Sequence, residues 1–211
     1  MTPRRPRSIP KGIVTPMARK KSVKLAAQRF TKATAEIVEY FEETAGLKEE
    51  WQFWCTDYAV IRLYQEFEAL ILSALVGAIN NDTSMLAETT GLDFPKHLSE
   101  DVCTFLIGGH GYFDFKGRDG LIQILKSFVP DGHYLINIVR HADYKDSLEK
   151  LSALRNFSAH QSKKAKRAAV RAIGGEKLGT TGSWLRRQKR FIELCDSLKD
   201  LAHEIEKKAP Y

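Results

Sequence analysis

Three side chains near the middle of the second half of the chain have types and a spacing suited to chemistry on a phosphodiester. Arg155, Asn156 and His160 form an Arg-Asn-x-x-x-His pattern. A histidine can accept or donate a proton near neutral pH. An arginine carries a permanent charge and a planar set of donors that matches a phosphate. No carboxylate or cysteine adjoins them, so the pattern favours phosphodiester chemistry over acyl transfer or metal binding.

The spacing of these residues also predicts how a helix would present them. Asn156 and His160 are four residues apart and share one face of a helix. Arg155 is five residues from His160, which places it about 140° round the helix. Its long side chain, or a partner subunit, must therefore bring the guanidinium group to the histidine.

This segment resembles the active-site motif of the HEPN family of small helical proteins. That motif is an Arg, usually followed by a polar residue, with a His four to six positions further on. Leu154 and Ala159 stand where the family often has apolar or small residues, and an apolar-rich helix at 51–79 precedes the motif. The resemblance covers residues 24–205. Some HEPN toxins have a Tyr two positions after the His, whereas this chain has Ser162.

The resemblance implies a function as well as a fold. Many HEPN proteins are metal-independent endoribonucleases of bacterial toxin–antitoxin or antiphage systems, so it implies an RNA substrate, no cofactor and an antitoxin or defence partner. The family's motifs commonly face each other across a homodimer, which would supply two copies of His160 and Arg155. One His would act on the ribose 2′-hydroxyl or the leaving oxygen, Arg155 would stabilise the phosphate charge, and Asn156 would orient the His or the phosphate.

Two other functions are compatible with the same residues. HEPN-like domains can keep the fold and lose the reaction, so the chain can be a non-catalytic module that binds RNA or a protein. It can also be a helical adaptor that uses a C-terminal apolar stripe and the basic arm. The motif residues would be dispensable to an adaptor and essential to a nuclease.

The charge of the chain is strongly segregated. Residues 1–35 contain ten Lys and Arg and no acid, and residues 161–190 contain ten against Glu176 alone. Two basic segments on an otherwise acidic body are expected to bind a polyanion such as RNA. We expect the contacts to come from the basic residues that follow His160, namely Lys163, Lys164, Lys166, Arg167 and Arg171. The alternative is a solvated basic helix.

The remaining composition is that of a cytoplasmic protein. The chain has three cysteines, at widely spaced positions: Cys55, Cys103 and Cys195. An odd number at this spacing indicates a reducing compartment and argues against a disulfide framework and against a zinc site. No apolar run approaches the roughly 18 residues of a membrane span. We therefore expect no metal and no membrane association.

The pattern along the chain predicts an all-α fold, an HEPN-like bundle with a long central helix. Residues 1–21, with four prolines and several basic residues, are predicted to form a disordered arm, and residues 22–208 a single domain. Helices are predicted from Ser22 to about 45, over 48–79, from Ser99 through 107, and over 118–129 and 134–141. Residues 81–98 are predicted to be a loop or a short helical insertion, and 108–115 a loop or a brief strand.

The last third of the chain is predicted to contain two further helices. The motif helix is expected to begin at Asp143 or Asp146 and to continue towards Ile173. A final helix is expected to start at Ser183, with a near-heptad apolar stripe that packs inside the bundle or on a second subunit. The stripe consists of positions 184, 191, 195, 198, 202 and 205.

Several residues outside the motif are weaker candidates. Asp57, Glu66 and Glu68 lie near the apolar face of the 48–79 helix, where buried acids usually have partners such as Arg155 or Arg62. Glu66 is the candidate for a supporting role behind the motif. The aromatic residues of the Gly-rich segment either stack on unpaired bases or belong to the core; they are Tyr112, Phe113 and Phe115. His110 has no phosphate-loop context, and the other histidines are expected at the surface.

Overall fold

The computed structural model describes residues 21–109 and 113–210, and within these ranges the secondary structure is entirely helical. The predicted arm, apart from Lys21, lies outside the described residues, as do His110 and Tyr112. The α-helices, in chain order, are α1 (Val23–Glu43), α2 (Glu49–Asn81), α3 (Ser84–Thr90), α4 (Glu100–Gly108), α5 (Gly117–Lys126), α6 (Tyr134–Arg140), α7 (Ala142–His160), α8 (Lys163–Ala172), α9 (Thr181–Leu185) and α10 (Arg190–Lys208).

Helix α2 is the centre of the bundle. Its 33 residues make it about 50 Å long, and it packs against α1, α4, α7 and α9. Its apolar side chains, including Leu63, Phe67 and Ile71, are fully buried, whereas its first turns carry the exposed side chains of Trp51 and Trp54. The helix predicted over 48–79 is confirmed.

Local capping signals decide where most helices begin. The Ser22 hydroxyl accepts a hydrogen bond from the Leu25 amide at 3.2 Å, and the Ser99 hydroxyl accepts one from Val102 at 3.4 Å. These bonds satisfy amides that have no partner within the helix. The predicted starts of α1 and α4 are therefore confirmed. For residues 81–98, the observed structure is the short helix α3, which was one of the two predicted alternatives.

The prediction for the C-terminal helix is wrong at its start. Ser183 belongs to the separate short helix α9, whose cap is Thr180, and α10 begins only at Arg190. The left-handed backbone of Gln188 and Lys189 separates the two helices. The apolar positions of the predicted stripe are all buried within the single chain, because α10 packs on α1, α6 and α7. Of the two alternatives for the stripe, packing inside the bundle is the one observed.

The motif helix also ends earlier than predicted. Gln161 adopts a left-handed conformation (φ 45°, ψ 22°), which stops α7 at His160. The Ser162 hydroxyl then accepts a hydrogen bond from the Ala165 amide at 3.1 Å and starts a new helix, α8. The chain therefore turns a corner directly after His160, and α8 folds back against α7.

A close approach of two backbones fixes α9 against α2. A Cβ atom on Gly182 would overlap the backbone of Phe53 in α2, so this position requires glycine. The Gly182 amide donates a hydrogen bond to Asp57 Oδ1 at 2.8 Å, and Ser158 of α7 donates to the same oxygen at 3.1 Å. Asp57 thus joins α2, α7 and α9.

Among the described residues, none of the helices combines the length and the apolar character required to cross a bilayer.

The corner at Gln161 yields a stability prediction. A side chain in the left-handed region costs about 1–2 kcal/mol that glycine does not pay. Part of this gain is offset because glycine gives the unfolded chain more freedom. We expect Gln161→Gly to raise the free energy of unfolding by about 0.5–1 kcal/mol, as measured by urea denaturation.

The matched control is Ala159→Gly, an exposed position two residues earlier and still within α7. At position 159, glycine should lower the free energy of unfolding by about 1 kcal/mol. Equal destabilisation by both substitutions would contradict the claim that the left-handed backbone of Gln161 costs free energy.

Candidate active site

The corner between α7 and α8 forms a groove of about 930 Å³, which we call the motif groove. Arg155, Asn156 and His160 all line it from α7. Helix α8 forms the facing wall, and the lining also includes Asp114 and Lys116, just before α5, and Gly117, its first residue. Despite its 140° offset from His160, Arg155 lines the same groove, because its long side chain extends to it.

The guanidinium group of Arg155 is held in a defined position. It lies over the ring of Tyr64 in α2, with its carbon 4.4 Å from the ring centre. Its Nη1 donates a hydrogen bond to Asn156 Oδ1 at 2.8 Å. Stacking on an aromatic face suits a planar cation. The side-chain oxygen of Asn156 therefore steadies Arg155, whereas Asn156 was expected to orient the His or the phosphate.

Tyr64 is in turn fixed by the segment that precedes α5. Only 1% of the surface of Tyr64 is exposed. Its hydroxyl lies 2.6 Å from Asp114 Oδ1 and 2.9 Å from the carbonyl oxygen of Phe115. Burial, followed by the hydrogen bond to Asp114, raises the pKa of Tyr64 well above its usual range. The ring beneath Arg155 therefore belongs to a neutral tyrosine at physiological pH.

A half-buried carboxyl group, that of Glu68, lies one turn further along α2. Its Oε1 atom is buried without a hydrogen-bond partner. Burial raises the pKa of Glu68 to about 7, although the neighbouring charge of Arg155 opposes that rise. Glu68 is thus the acid that the structure brings to the motif arginine.

Glu66, which we predicted for this supporting role, points elsewhere. It forms an ion pair with Arg62 on the same helix, and it lines a separate groove with Arg29 and Glu100. Two residues along a helix correspond to a rotation of about 200°, which explains why Glu66 and Glu68 face opposite sides of α2. The structure does not bring Glu66 to the motif.

His160 occupies the exposed end of α7. It is the last residue of the helix, and the Gln161 amide closes that end through a hydrogen bond to the Phe157 carbonyl oxygen at 2.9 Å. An imidazole at this corner lines the motif groove and remains accessible to a ligand. The histidine is therefore placed for proton transfer with a group bound in the groove.

The basic side chains of α8 divide between its two sides. Lys164 and Arg171 line the motif groove, together with three alanines at 165, 168 and 172. Lys163, Lys166 and Arg167 line a separate depression of about 510 Å³. The Lys166 ammonium also lies 5.9 Å from the ring centre of Phe157. Of the five predicted RNA-binding residues, the structure places Lys164 and Arg171 beside the motif, and Arg171 also borders the second depression.

The remaining wall of the groove adds lysines that the sequence analysis did not single out. Lys116 and Lys145 both line the groove. They come from the start of α5 and from the first half of α7, about 40 and 10 residues before the motif, so no local pattern linked them to it. Carboxylates also line this side, and that of Glu149 is used to bind the Arg118 amide at 2.9 Å.

The other candidates have structural roles. Phe115 is 1% exposed and stacks on Tyr64 with ring centres 5.0 Å apart, so it belongs to the core rather than to a base-stacking surface; Phe113 is half-buried against the same core. Burial raises the pKa of Asp57, which bonds Ser158 and Gly182. His141 lies at the opposite end of α7 from His160.

Two further histidines are held by local contacts. His97 Nδ1 lies 3.2 Å from the carbonyl oxygen of Asn80, and His133 Nδ1 accepts a hydrogen bond from the Leu135 amide at 3.3 Å. Burial lowers the pKa of His133. In the described part of the chain, no group of three or more His, Cys, Asp or Glu side chains is arranged to hold a metal ion.

The raised pKa of Glu68 predicts a pH dependence of stability. The folded chain keeps the Glu68 proton up to about pH 7, whereas an unfolded chain releases it near the ordinary value of 4.5. Unfolding is therefore increasingly favoured as the pH rises between these two values. Relative to Glu68→Gln, the wild-type free energy of unfolding should fall by about 1–2 kcal/mol between pH 5 and pH 8, after allowance for solvent screening.

The measurement is urea denaturation of both proteins at several pH values. The control for loss of a negative charge is Glu39→Gln, which removes an exposed carboxylate on α1. The difference in free energy of unfolding between this variant and wild type should stay nearly constant with pH. A constant difference for Glu68→Gln as well would show that Glu68 is ionised throughout this range.

Comparison of the chain with protein-family models, with curated proteins and with solved structures gave no match.

Proposed function

We propose that the chain is a metal-independent endoribonuclease of the HEPN type, with the motif groove as its active site. The observation that carries the proposal is the convergence of Arg155, Asn156 and His160 on one groove whose facing wall carries Lys164 and Arg171. A proton-transfer group, a fixed cation and two further cations then lie around one space. That combination suits a substrate whose reacting centre is a phosphodiester within a polyanion.

The proposed reaction is attack of a ribose 2′-oxygen on the adjacent phosphorus. The 2′-hydroxyl proton passes to a neutral histidine, the bond from phosphorus to the 5′-oxygen breaks, and that oxygen takes up a proton. The products are a 2′,3′-cyclic phosphate and a free 5′-hydroxyl. Arg155, already oriented by Tyr64 and Asn156, stabilises the negative charge that accumulates on the phosphate oxygens. No step requires a metal ion.

The reaction needs a base and an acid, and each groove contains one motif histidine. A homodimer related by a two-fold axis would place a second His160 and a second Arg155 opposite the first pair. The exposed position of His160 at the corner of α7 and α8 leaves room for a second copy to approach. A homodimeric active site is therefore part of the proposal.

The basic side chains of the groove would position RNA without reading its sequence. Lys164 and Arg171 on one wall and Lys116 and Lys145 on the other can contact successive phosphates. The alanines between the basic side chains of α8 leave space for sugars and bases. Lys163, Lys166 and Arg167, on the other side of α8, would attract RNA at longer range.

A non-catalytic module that binds RNA or a protein is the second candidate. The observation that favours it is that the Arg155 guanidinium is already engaged by Tyr64 and Asn156, as in a structural arginine. The adaptor hypothesis has less support, because the apolar stripe of the C-terminal helix is buried within the bundle. For the nuclease, we propose a place in bacterial toxin–antitoxin or antiphage defence, with an antitoxin or defence partner that controls access to the groove.

Cleavage of RNA by matched variants tests the proposed reaction. Labelled single-stranded RNA and tRNA are incubated with the full chain in EDTA. His160→Ala should lower the cleavage rate by about 10²–10⁴-fold through loss of proton transfer. Arg155→Ala should lower it by about 10²–10³-fold through loss of charge stabilisation. Product ends should carry a 2′,3′-cyclic phosphate.

The control is His203→Ala, which removes an exposed histidine of α10 and should cut at the wild-type rate. If wild type and variants bind RNA equally and none cuts it, the non-catalytic module is the correct function. Cleavage that persists in His160→Ala would exclude the proposed mechanism.

The salt dependence of RNA binding tests which side of α8 contacts the phosphates. Each phosphate contact contributes a slope of about −0.7 to log K against log salt for a single strand. Lys164→Ala and Arg171→Ala should each reduce the magnitude of the slope by about 0.7. The matched substitutions Lys163→Ala and Arg167→Ala remove the same charges on the other side and should change the slope less. Equal effects of all four would indicate diffuse attraction to the helix rather than binding in the groove.

A further inference from the structure

Five large, mainly apolar side chains are exposed to solvent at one end of the bundle, where α1 ends and α2 begins. Their exposed fractions lie between 36% and 59%, although aromatic side chains of this size are usually largely buried. We call this group the aromatic surface; it consists of Tyr40, Leu47, Trp51, Trp54 and Tyr58.

The aromatic surface is continuous rather than a set of scattered residues. Trp51, Trp54 and Tyr58 follow one another at intervals of three and four, so they lie along one side of α2. Tyr40 of α1 contacts Tyr58 edge to face, with ring centres 6.0 Å apart. Between the two tyrosines lies a cavity of about 200 Å³, which is large enough for one side chain. Exposed apolar groups that form a patch indicate a binding surface.

The surroundings of this surface are acidic. Residues 36–56 contain six glutamates and one basic residue, Lys48, and the six glutamates are exposed. Glu36 and Arg62 both line the cavity between the tyrosines, and the charge of Arg62 is paired with Glu66. One cation of the chain already contacts this surface, since the Lys48 ammonium group lies 5.2 Å from the centre of the Trp51 ring. A basic ligand would gain both from the aromatic faces and from the glutamates.

The chain itself contains a segment with the complementary composition. Residues 1–20, which are outside the described residues, contain six basic residues, four prolines and no acid. Arg4, Arg5 and Arg7 flank Pro6 and form a basic group near the start of this segment. Prolines dock well on exposed aromatic rings, since they lose little entropy on binding, and arginines stack on the same rings.

The point where this segment joins the bundle decides which part of it can reach the surface. The Lys21 amide donates to Asn80 Oδ1 at 3.2 Å, which places it at the far end of α2. Trp54 is 26 residues before Asn80, or about 39 Å along the helix. A polyproline conformation over residues 4–20 would carry Arg4–Arg7 about 43–53 Å from Lys21, whereas it would carry Lys11 only about 31 Å. Only the Arg4–Arg7 group is far enough along the chain to cover Trp54.

From the exposed rings, the acidic surroundings and this reach, we propose that residues 3–8 of this chain dock on its own aromatic surface. The arginines pair with the glutamates and stack on the tryptophans, and Pro6 contacts the rings. The contact covers apolar area that the bundle leaves open and lowers the charge density of two segments of opposite sign. It is independent of the reaction proposed for the motif groove.

Photo-crosslinking in the full chain tests this proposal. Trp54 is replaced by p-benzoylphenylalanine, and crosslinked peptides are mapped by mass spectrometry in a mixture of ¹⁴N- and ¹⁵N-labelled chains. We expect crosslinks to residues 3–8 within chains of a single label. The control carries the same group at Glu193, an exposed position of α10 at the same end of the bundle, and should give no crosslinks to residues 3–8.

Two triple charge reversals distinguish specific docking from general attraction. Reversal of Arg4, Arg5 and Arg7 to Glu should abolish the crosslink. The matched reversal of Lys11, Arg19 and Lys20, which changes the net charge equally, should retain it. Crosslinks only between chains of different label, crosslinks only to other proteins, equal loss in both triple variants, or no crosslinks from position 54 would each overturn the proposal.

Discussion

The burial of α2 is the constraint on which the rest of the structure depends. A 33-residue helix that is apolar for most of its length must be covered on several sides, and α1, α4, α7 and α9 provide that cover. Polar groups on such a helix need partners within the bundle. Tyr64 reaches Asp114 and the Phe115 carbonyl, and Asp57 reaches Ser158 and Gly182. These bonds fix the neighbouring elements around the motif helix.

The position of Arg155 follows from this arrangement. Helix α7 packs on α2, so its arginine lies above the ring of Tyr64, next to the half-buried carboxyl group of Glu68. A flexible side chain becomes a fixed cation because an aromatic ring and an amide oxygen hold it. The left-handed turn at Gln161 then adds the second wall of the groove. Core packing and a single backbone conformation together build the motif groove.

Charge is separated along the molecule in a way that matches its proposed interactions. Basic side chains line the motif groove, where a phosphodiester substrate would bind, and glutamates surround the aromatic surface at the start of α2. A polyanion would be drawn to the groove and repelled from the aromatic surface. The two surfaces can therefore bind partners of opposite charge without competition between them.

The sequence alone determined the helical character of the chain, the central helix and most helix starts, because apolar periodicity and capping residues such as Ser22 and Ser99 act over a few neighbouring residues. It also singled out Arg155, Asn156 and His160 as candidate site residues through their types and spacing. It missed the break after His160, since Gln161 is not a residue type that signals a left-handed turn, and it placed the start of the last helix too early.

Tertiary structure decided the contents of the groove, since these depend on contacts between residues far apart in the chain. Tyr64 is 91 residues from Arg155, and Lys116 is 44 residues from His160. The choice between Glu66 and Glu68 required the rotation of α2 relative to α7, because both carboxylates lie on a helix that is packed on several sides. Local patterns encode which face of a helix is apolar, whereas the packing of neighbouring helices sets which polar side chain meets which partner.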